Sequence, residues 1–413
     1  MSLNTPSTRN SFCRVAALLA LAASLTLAST GVRASTGTCD GQNLTLPFTD
    51  VAGTNIFFCS IAQAYFTGLT NGTTATTYSP GANVTREQMA AFITRTQDSA
   101  LKRGSRRAAV GEWSIPKRVE ELNPTTVGDH PISPCFDGED IWVPNFGGDT
   151  VTRVHASDGR VLGTWTGAVK ATSTIAAAGF IYVVGESDPA KIYRINPSFS
   201  PGTVTEVASS NVGILPDGIT YDGFYIWTAN NGGSPGAGTI TKYDIVNHFE
   251  GTFIGTFNRA SGICFDGTSL WVSDSGDDKL YRFNPTTGSV TETIDVGNIP
   301  TNSRPAFDGS NIWVPVLDGV SVVSTSTPAR IVATLTGNGL DGSNHSAAFD
   351  GERVLVTNES NDSVSLWKAT SLTPLGTLVL GSTKHPQGVC SDGLHFWITV
   401  NGPGAFDHLI LRF

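Results

Sequence analysis

The chain has 413 residues, of which 45 are Gly and 21 are Pro, and only 15% of its residues are charged. This length gives room for a sizeable core, and the composition favours a turn-rich, mainly β protein over a helical one. The formal net charge is -9, and an acidic chain without a basic stripe excludes nucleic acid as an expected partner.

The first 34 residues have the pattern of a secretory signal peptide. Arg9 and Arg14 form a positive region before an apolar run at residues 15–28, and residues 32–34 (Val-Arg-Ala) have the small-x-small pattern of a cleavage site. This run is too short to span a bilayer, and no later segment is long and apolar enough to do so. We therefore expect a protein without a transmembrane segment that is secreted or held at the cell surface after residues 1–34 are removed.

The six cysteines fall into three groups. Cys13 lies within the predicted signal peptide, and an exported protein allows a disulfide between Cys39 and Cys59. The remaining three share one position of a repeat and are interpreted as buried free thiols: Cys135, Cys264 and Cys390. No pair of Cys or His residues has the spacing of zinc ligands.

Residues 40–101 differ from the rest of the chain and predict a small helical module. Residues 56–66 are apolar with a roughly helical pattern, and a Gly- and Thr-rich loop follows at 68–81. Thr85 is the predicted N-cap of a second helix, with Glu87 in the first turn, where the helix dipole favours an acid.

This module resembles an S-layer homology module. The resemblance rests on Phe48, Asp50-Val51, Phe57-Phe58, Ile61, the Gly68 to Gly72 loop, Tyr78 to Pro80 and Val84-Thr85-Arg86-Glu87. It implies attachment to a cell-wall polymer or the cell surface, and Arg86 is the expected contact because its fork suits carboxylate or phosphate. Such modules usually work in threes, so a single one is also compatible with a small folding unit or a dimerisation element.

Residues 102–112 are predicted to link this module to the rest of the chain. The linker begins with a basic run that a Gly interrupts, residues 102–107. A run of this kind is usually a solvated hinge, and protease sensitivity or contact with an acidic envelope polymer is the open alternative.

From Cys135 onward the chain repeats one strand-and-turn pattern about every 42 residues. An Asp-Gly turn marks six repeats, and Ala178-Gly179 stands in the second: Asp137, Asp222, Asp266, Asp308, Asp350 and Asp392. Five repeats have a Trp five residues after the Asp: Trp142, Trp227, Trp271, Trp313 and Trp397. We interpret these Trp side chains as packing between blades rather than as a platform for a ligand. The pattern predicts a seven-bladed β-propeller over residues 113–413.

The last repeat contains only three predicted strands. An extended segment without a repeat of its own lies upstream, at residues 113–122. We predict that this segment supplies the fourth strand of the last blade, so that an N-terminal strand closes the ring and removes an open sheet edge. The predicted fold class is therefore mainly β, with a strand-closed propeller after a small helical domain.

The repeats resemble the propeller superfamily of Tyr-Val-Thr-Asn-type, NHL-like and streptogramin-lyase-like proteins. Residues 356–365 and the recurring Phe-Asp-Gly and Ile-Trp-Val segments carry this resemblance. It implies the fold, which hosts many functions. The lyase branch uses a His flanked by metal-binding Glu residues. His345 and Glu359 match part of that pattern, whereas Ser343 stands where it has a second Glu.

Propeller ligands usually bind at one mouth of the channel, so the positions just before each inner strand are candidates. The predicted ligand-binding residues there are His130, Asp217, Arg259, Ser261 and Gln387, and the predicted catalytic residues are His345, His385 and Glu359. The three His fall on blades that adjoin in a closed ring, and His suits general-base or metal-ligand chemistry, although polar rim loops also contain His by chance.

A second set of positions follows the second strand of each blade and is rich in Asn and Asp. Such side chains often cap their own turns. Glu186 and Asp274 are the predicted contacts to a divalent cation, Ca or Mg, in the channel.

The function expected from the sequence is that of an exported, surface-associated propeller that binds a small molecule, peptide or glycan, or acts as a scaffold. The first alternative is a metal-assisted lyase that uses the predicted catalytic residues. A lactonase or hydrolase centre would instead use Glu186, Asn230, Asp274 and Asn358. A structural envelope protein is the remaining alternative.

Overall fold

The computed structural model describes residues 35–413 except 40–41, 67–69, 71, 75, 94–121, 210–211, 249, 255–256 and 405–407. The predicted signal peptide, the predicted linker and most of the segment 113–122 lie outside the described residues. The chain divides into two compact units, Met1–Ala109 and Val110–Phe413. None of the helices in the described ranges is long and apolar enough to cross a membrane.

The N-terminal unit combines a hairpin with two helices: β1 (Ser35–Cys39), β2 (Gln42–Leu46), α1 (Phe58–Phe66) and α2 (residues 86–93). Its small core contains Leu46, Phe48, Val51, Phe58, Ile61 and Ala62. The disulfide that the sequence allows is present between Cys39 and Cys59, and it ties β1 to α1.

Side-chain hydrogen bonds fix the loop and the helix start of this unit. The carboxylate of Asp50 accepts the backbone N–H groups of Tyr78 (2.8 Å) and Ser79 (2.7 Å). Thr85 Oγ1 accepts the N–H of Gln88 (3.1 Å), and Gln88 Oε1 accepts the N–H of Thr85 (2.9 Å), which is a capping box. The prediction of Thr85 as an N-cap is therefore confirmed.

The described residues of the second unit form seven four-stranded antiparallel sheets, which confirms the seven-bladed propeller. The strand β3 (Thr125–Thr126) precedes them. From the inner strand outward, blades 1 and 2 contain β4 (Cys135–Phe136), β5 (Asp140–Asn145), β6 (Thr150–His155), β7 (Val161–Thr166), β8 (Ala171–Ala177), β9 (Phe180–Gly185), β10 (Lys191–Ile195) and β11 (Thr205–Ala208). Blades 3 and 4 contain β12 (Pro216–Tyr221), β13 (Tyr225–Asn230), β14 (Thr239–Asp244), β15 (Glu250–Ile254), β16 (Ala260–Phe265), β17 (Leu270–Asp274), β18 (Lys279–Asn284) and β19 (Ser289–Asp295).

The remaining blades follow the same order. Blades 5 and 6 contain β20 (Ala306–Phe307), β21 (Asn311–Val316), β22 (Gly319–Ser324), β23 (Ile331–Leu335), β24 (Asn344–Phe349), β25 (Arg353–Asn358), β26 (Ser363–Lys368) and β27 (Thr373–Val379). Blade 7 contains β28 (Pro386–Ser391), β29 (Phe396–Asn401) and β30 (His408–Arg412), and β3 is its outer strand.

An N-terminal strand closes the ring, as predicted, but its position is shifted. β3 pairs antiparallel with β30, and the N–H of Val127 donates to the carbonyl of His408 (3.0 Å). The sequence placed this strand at residues 113–122, whereas the pairing begins directly after Pro124, which has no N–H to donate. Leu122 is 1% exposed and packs with core residues of blades 6 and 7.

The repeated Asp builds its own turn and anchors the Trp that follows. In blade 4, one oxygen of Asp266 accepts the N–H groups of Thr268 and Ser269, and the other accepts the indole N–H of Trp271, each at 2.7 Å. The same carboxylate–indole bond occurs in blades 1, 3, 5 and 7. These five indoles are fully buried, so each needs such an acceptor. The Trp residues therefore pack the blades, as predicted.

The three cysteines of the repeat are free. Burial raises the pKa of each thiol, to about 12 for Cys135. Thiols of this kind stay protonated at neutral pH and pack as small apolar groups.

Candidate functional site

The inner strands of all seven blades surround a channel of about 290 Å³. Neighbouring inner strands approach closely: a Cβ on Gly262 would lie 2.1 Å from the carbonyl oxygen of Ser303. Much of the channel lining consists of small hydroxyl and apolar side chains, among them Ser133, Ser173, Ser346, Ala347 and Val389.

β-bulges at the starts of the inner strands place polar residues at one mouth of this channel. The register shifts at this point in five blades: 171/173, 216/218, 260/262, 344/347 and 386/389. The residues inside these bulges include four that the sequence predicted as site residues: Asp217, Ser261, His345 and Gln387. A bulge re-aims side chains and is common next to functional sites.

A buried ion pair crosses this mouth between blades 5 and 3. Arg304 Nη2 contacts Asp217 Oδ1, and the two side chains are 9% and 5% exposed. Burial raises the pKa of Asp217, while the charges of Arg304 and His345 oppose that rise. The backbone N–H of Arg304 also donates to the carbonyl of His345 (2.7 Å). The ion pair between Arg304 and Asp217 therefore joins blades 5 and 3, which are not neighbours in the ring.

Arg304 was missed by the sequence predictions, although the repeat contains a signal for it. It stands four residues before the Asp of its blade, where the other blades have only small residues: Ser133, Thr174, Gly218, Gly262, Ser346 and Gly388. A long cation at a position that is otherwise Gly, Ser or Thr departs from the structural pattern, and such departures are expected at functional sites.

A second polar group at the mouth is centred on Glu359 of blade 6. Glu359 Oε2 lies 3.0 Å from His345 Nε2, which is also 2.9 Å from the hydroxyl of Ser343. Gln387 Nε2 of blade 7 donates to Glu359 Oε1 (2.6 Å). The hydrogen bond from His345 lowers the pKa of Glu359, although burial opposes this. Both carboxylate oxygens therefore have partners.

The three predicted His lie around Glu359 but have different immediate neighbours. His385 Nδ1 is 3.8 Å from a carboxylate oxygen of Asp362, and the ring of His130 packs 5.4 Å from that of Phe146. Burial lowers the pKa of His130, and the charges of Asp129 and, less strongly, Glu359 act against this. Within the described ranges, no three His, Cys, Asp or Glu side chains are placed to hold one metal ion.

The two residues predicted to contact a cation differ in their surroundings. Burial and then the charge of Asp217 raise the pKa of Glu186 to about 7. Asp274 Oδ1 accepts the N–H groups of Arg259 (2.8 Å) and Gly276 (2.9 Å), and Oδ2 accepts that of Asn258 (2.6 Å). Asp274 therefore shapes the loop that presents Arg259, and its oxygens are already hydrogen-bonded.

The remaining predicted residues have local roles or stay exposed. Ser261 is fully buried, and its hydroxyl donates to that of Ser275 (2.9 Å). Three Asn residues at the ends of second strands donate to pairs of hydroxyls on the third strand: Asn145 to Thr150 and Thr152, Asn230 to Thr239 and Thr241, and Asn358 to Ser363 and Ser365. Arg86 is exposed in the first turn of α2.

Comparison with known proteins adds one family match and several solved structures. Residues 47–90 match the S-layer homology domain family. The propeller is similar to hydrazine synthase from Kuenenia stuttgartiensis, with 17% identity, a TM-score of 0.56 and coverage of 70% of this chain and 98% of that chain. It is also similar to a catalytically inactive virginiamycin B lyase from Staphylococcus aureus with quinupristin, with 15% identity, a TM-score of 0.55 and coverage of 70% and 97%.

A streptogramin B lyase is similar as well, with 18% identity, a TM-score of 0.52 and coverage of 70% of this chain and 95% of that chain. No match was found among curated proteins. Identities this low show the fold alone, whereas the S-layer homology domain indicates association with the cell envelope. The chain therefore carries an S-layer homology domain over residues 47–90, followed by a seven-bladed propeller with the fold of the streptogramin-lyase-like structures.

Proposed function

We propose that this protein is an exported binding module of the cell envelope whose propeller takes a small molecule, peptide or glycan at the mouth described above. The observation that carries the proposal is that polar side chains from five blades meet there: Glu186, Asp217, Arg304, His345, Glu359 and Gln387. Asp217, Arg304, His345 and Gln387 are buried, and burying polar or charged groups costs free energy unless they are paired. A concave site with perturbed pKa values is the default place for a ligand.

Export fits a further feature of the chain. The disulfide between Cys39 and Cys59 belongs to an oxidising compartment. In this proposal residues 1–34 direct export and are removed, and the S-layer homology domain then holds the propeller at a cell-wall polymer through Arg86.

Ligand binding is tested with three probe classes: free hexoses, dipeptides and small dicarboxylates. Thermal shifts of the full chain are compared with those of Ser343→Trp, which fills the mouth, and Ser310→Trp, which adds the same bulk at the opposite end of the channel. At least one class is expected to stabilise the wild type and Ser310→Trp but not Ser343→Trp. No stabilisation by any class, or equal stabilisation of Ser343→Trp, contradicts the proposal.

The second candidate function is a metal-assisted lyase, favoured by the 3.0 Å contact between His345 and Glu359. A His held by a carboxylate suits general-base catalysis, and the fold is shared with a virginiamycin B lyase. Ser343, however, offers no carboxylate for a metal. The full chain is incubated with the same three probe classes and with quinupristin, each in the presence of Mg²⁺, and the mixtures are analysed by mass spectrometry. A product that forms with the wild type but not with His345→Ala would show that the protein is an enzyme and would contradict a role in binding alone.

Envelope attachment is tested by fractionating cells. Deleting residues 40–100 is expected to move the protein from the envelope fraction into the medium, and Arg86→Ala is expected to do so in part because it removes the contact to an anionic polymer. Arg330→Ala, which changes an exposed Arg of the propeller, is the matched control. Equal release of the deletion variant and the full chain into the medium would contradict the anchoring role of this domain.

A further inference from the structure

A second cavity lies outside the channel, where the outer strand of blade 1 meets blade 2. Its volume is about 190 Å³, which is below the roughly 300 Å³ at which ordinary small-molecule sites begin. It therefore has room for a ligand about the size of a single ring with one substituent. Aromatic and polar side chains line this cavity, among them Trp165, Phe180, Arg194, Phe199, Thr203 and Thr205.

The loop that forms one wall of the cavity is fixed at both ends. At its start, the side-chain oxygen of Asn196 accepts the N–H of Ser198 (3.0 Å), and the carbonyl of Asn196 accepts the N–H of Phe199 (3.2 Å). At its end, the N–H of Thr166 in blade 1 donates to the carbonyl of Gly202 (2.9 Å). Phe199 is nevertheless 70% exposed. A fixed loop that holds an aromatic ring open to solvent is preorganised to pack that ring against a ligand.

The cation of this cavity, Arg194, has counterparts in other blades. Four Arg residues on third strands each stack on an aromatic ring, with 4.7 to 5.9 Å between the guanidinium carbon and the ring centre: Arg153 on Trp142, Arg194 on Phe180, Arg282 on Trp271 and Arg412 on Trp397. Three of the four have oxygen partners as well: Arg153 contacts Asp140, Arg282 contacts Glu292, and Arg412 donates to the carbonyl of Ser157.

Arg194 has no carboxylate or carbonyl partner among the residues that the structure describes. Its neighbours are the ring of Phe180 and the hydroxyl of Tyr182. Burial raises the pKa of Tyr182, although the charge of Arg194 opposes this, so the hydroxyl stays neutral near pH 7. The guanidinium nitrogens of Arg194 are accessible, whereas Nε of Arg304 is buried without a partner. Arg194 therefore offers an uncompensated positive charge to the cavity.

The missing partner of Arg194 follows from the sequence of blade 2. Arg153 and Arg194 occupy the same position of the repeat, and the carboxylate that pairs with Arg153 comes from Asp140. Ile181 stands at the position of Asp140 in blade 2. Blade 2 thus keeps the cation of the repeat without its anion, and departures from a structural pattern are expected at functional sites.

The chemistry of these side chains restricts the ligand. A guanidinium pairs with both oxygens of a carboxylate through its planar fork, and one Arg balances one negative charge. The exposed ring of Phe199 offers apolar contact to a flat body, and the volume of the cavity limits that body to one ring. A small aliphatic acid would use the cation but leave the ring of Phe199 uncovered.

We infer that this cavity binds a monocyclic aromatic carboxylate, whose carboxylate pairs with Arg194 and whose ring packs against Phe199. The cavity is separate from the channel mouth, so this site goes beyond the binding function proposed above and does not depend on it.

The test is ligand-observed NMR titration of the full chain with benzoate, 4-hydroxybenzoate and phenylacetate, each beside its methyl ester. At least one acid is expected to bind, and its ester at least about tenfold more weakly, because the ester cannot form the charge-assisted pair. Acetate and inorganic phosphate are expected to bind at least about tenfold more weakly than that acid, because they lack the ring. The inference is overturned if no aromatic acid binds, or if an ester, acetate or phosphate binds as tightly.

Two variants place the ligand in this cavity. Arg194→Met is expected to weaken binding of the aromatic acid at least about tenfold, and Phe199→Ala about fivefold. The matched controls are Arg330→Met and Phe224→Ala, which make the same changes at exposed positions outside the cavity and are expected to bind normally. Unchanged binding in either folded cavity variant overturns the inference.

The mouth variant Ser343→Trp separates this site from the one proposed at the channel. It is expected to bind the aromatic acid as the wild type does. Loss of binding in Ser343→Trp together with normal binding in Arg194→Met would place the ligand at the mouth. That result overturns the inference and leaves the proposed binding function standing.

Discussion

Replacing Arg304 by methionine is expected to lower the free energy of unfolding of the propeller by about 3–5 kcal/mol, because it leaves the charge of Asp217 buried without its partner. The two side chains are 9% and 5% exposed, so water cannot replace the guanidinium. The measurement is urea unfolding followed by Trp fluorescence. All eight Trp residues lie at or after position 113, so the signal reports on the propeller unit.

Two further variants separate the lost ion pair from the lost packing. Arg330→Met, an identical change at an exposed position of the same blade, is expected to cost less than about 0.5 kcal/mol. The double variant Arg304→Met with Asp217→Leu is expected to regain most of the loss, because it removes the unpaired charge. A double variant as unstable as Arg304→Met alone would contradict this account.

The pH dependence of the Arg304→Met deficit follows from the raised pKa of Asp217. Protonation of a carboxyl whose pKa is raised in the folded state favours the folded state, so its stabilising effect is lost as the pH rises. Without the guanidinium that pKa rises further. The deficit of the variant relative to the wild type is therefore expected to be largest at neutral pH and to shrink as the pH falls toward the ordinary value of 3.8.

Leu122→Ala is expected to lower the free energy of unfolding by about 2–5 kcal/mol, the usual range for deleting a buried Leu side chain. Leu122 is 1% exposed and packs against core residues of blades 6 and 7, just before the closing strand β3. Its loss leaves a cavity beside the blade that both ends of the propeller build. The same fluorescence-detected urea unfolding measures the effect.

The control for Leu122→Ala is Thr126→Ala, in the closing strand itself. The Thr126 side chain is exposed, and its backbone pairing with Leu409 does not need it. This change is expected to cost less than about 0.5 kcal/mol. Equal losses in both variants would mean that the side chain of Leu122 does not anchor the closure.

The fold could be predicted from the sequence because each blade depends on local signals. The Asp of the turn and the Trp five residues later are bonded to each other, so one short segment contains both the turn and its buried anchor. The sequence predicted that a closing strand exists but placed it too early in the chain. Only Leu122 and the two pairing residues after Pro124 indicate where this strand lies. Pairing as short as this has no periodic pattern of its own.

The candidate site was predicted only in part, because its contacts join residues that are far apart in the sequence. The sequence identified Asp217 and His345 by their repeat position, yet it could not show the bulges that aim them at the mouth. Arg304 lies 87 residues from Asp217, and nothing local links the two. The sequence placed the three His on adjoining blades, and in the structure they lie around Glu359, each with a different immediate neighbour.

The closure of blade 7 is also the most non-local step in folding this propeller. Its contacts join the two ends of the propeller, such as His130 with His408, which are 278 residues apart. Contacts this distant form slowly, because the entropy of closing a long loop opposes them. Until β3 pairs with β30 the ring stays open, and unpaired strand edges are exposed. A chain that stops a few residues early would keep those edges and remain prone to aggregation.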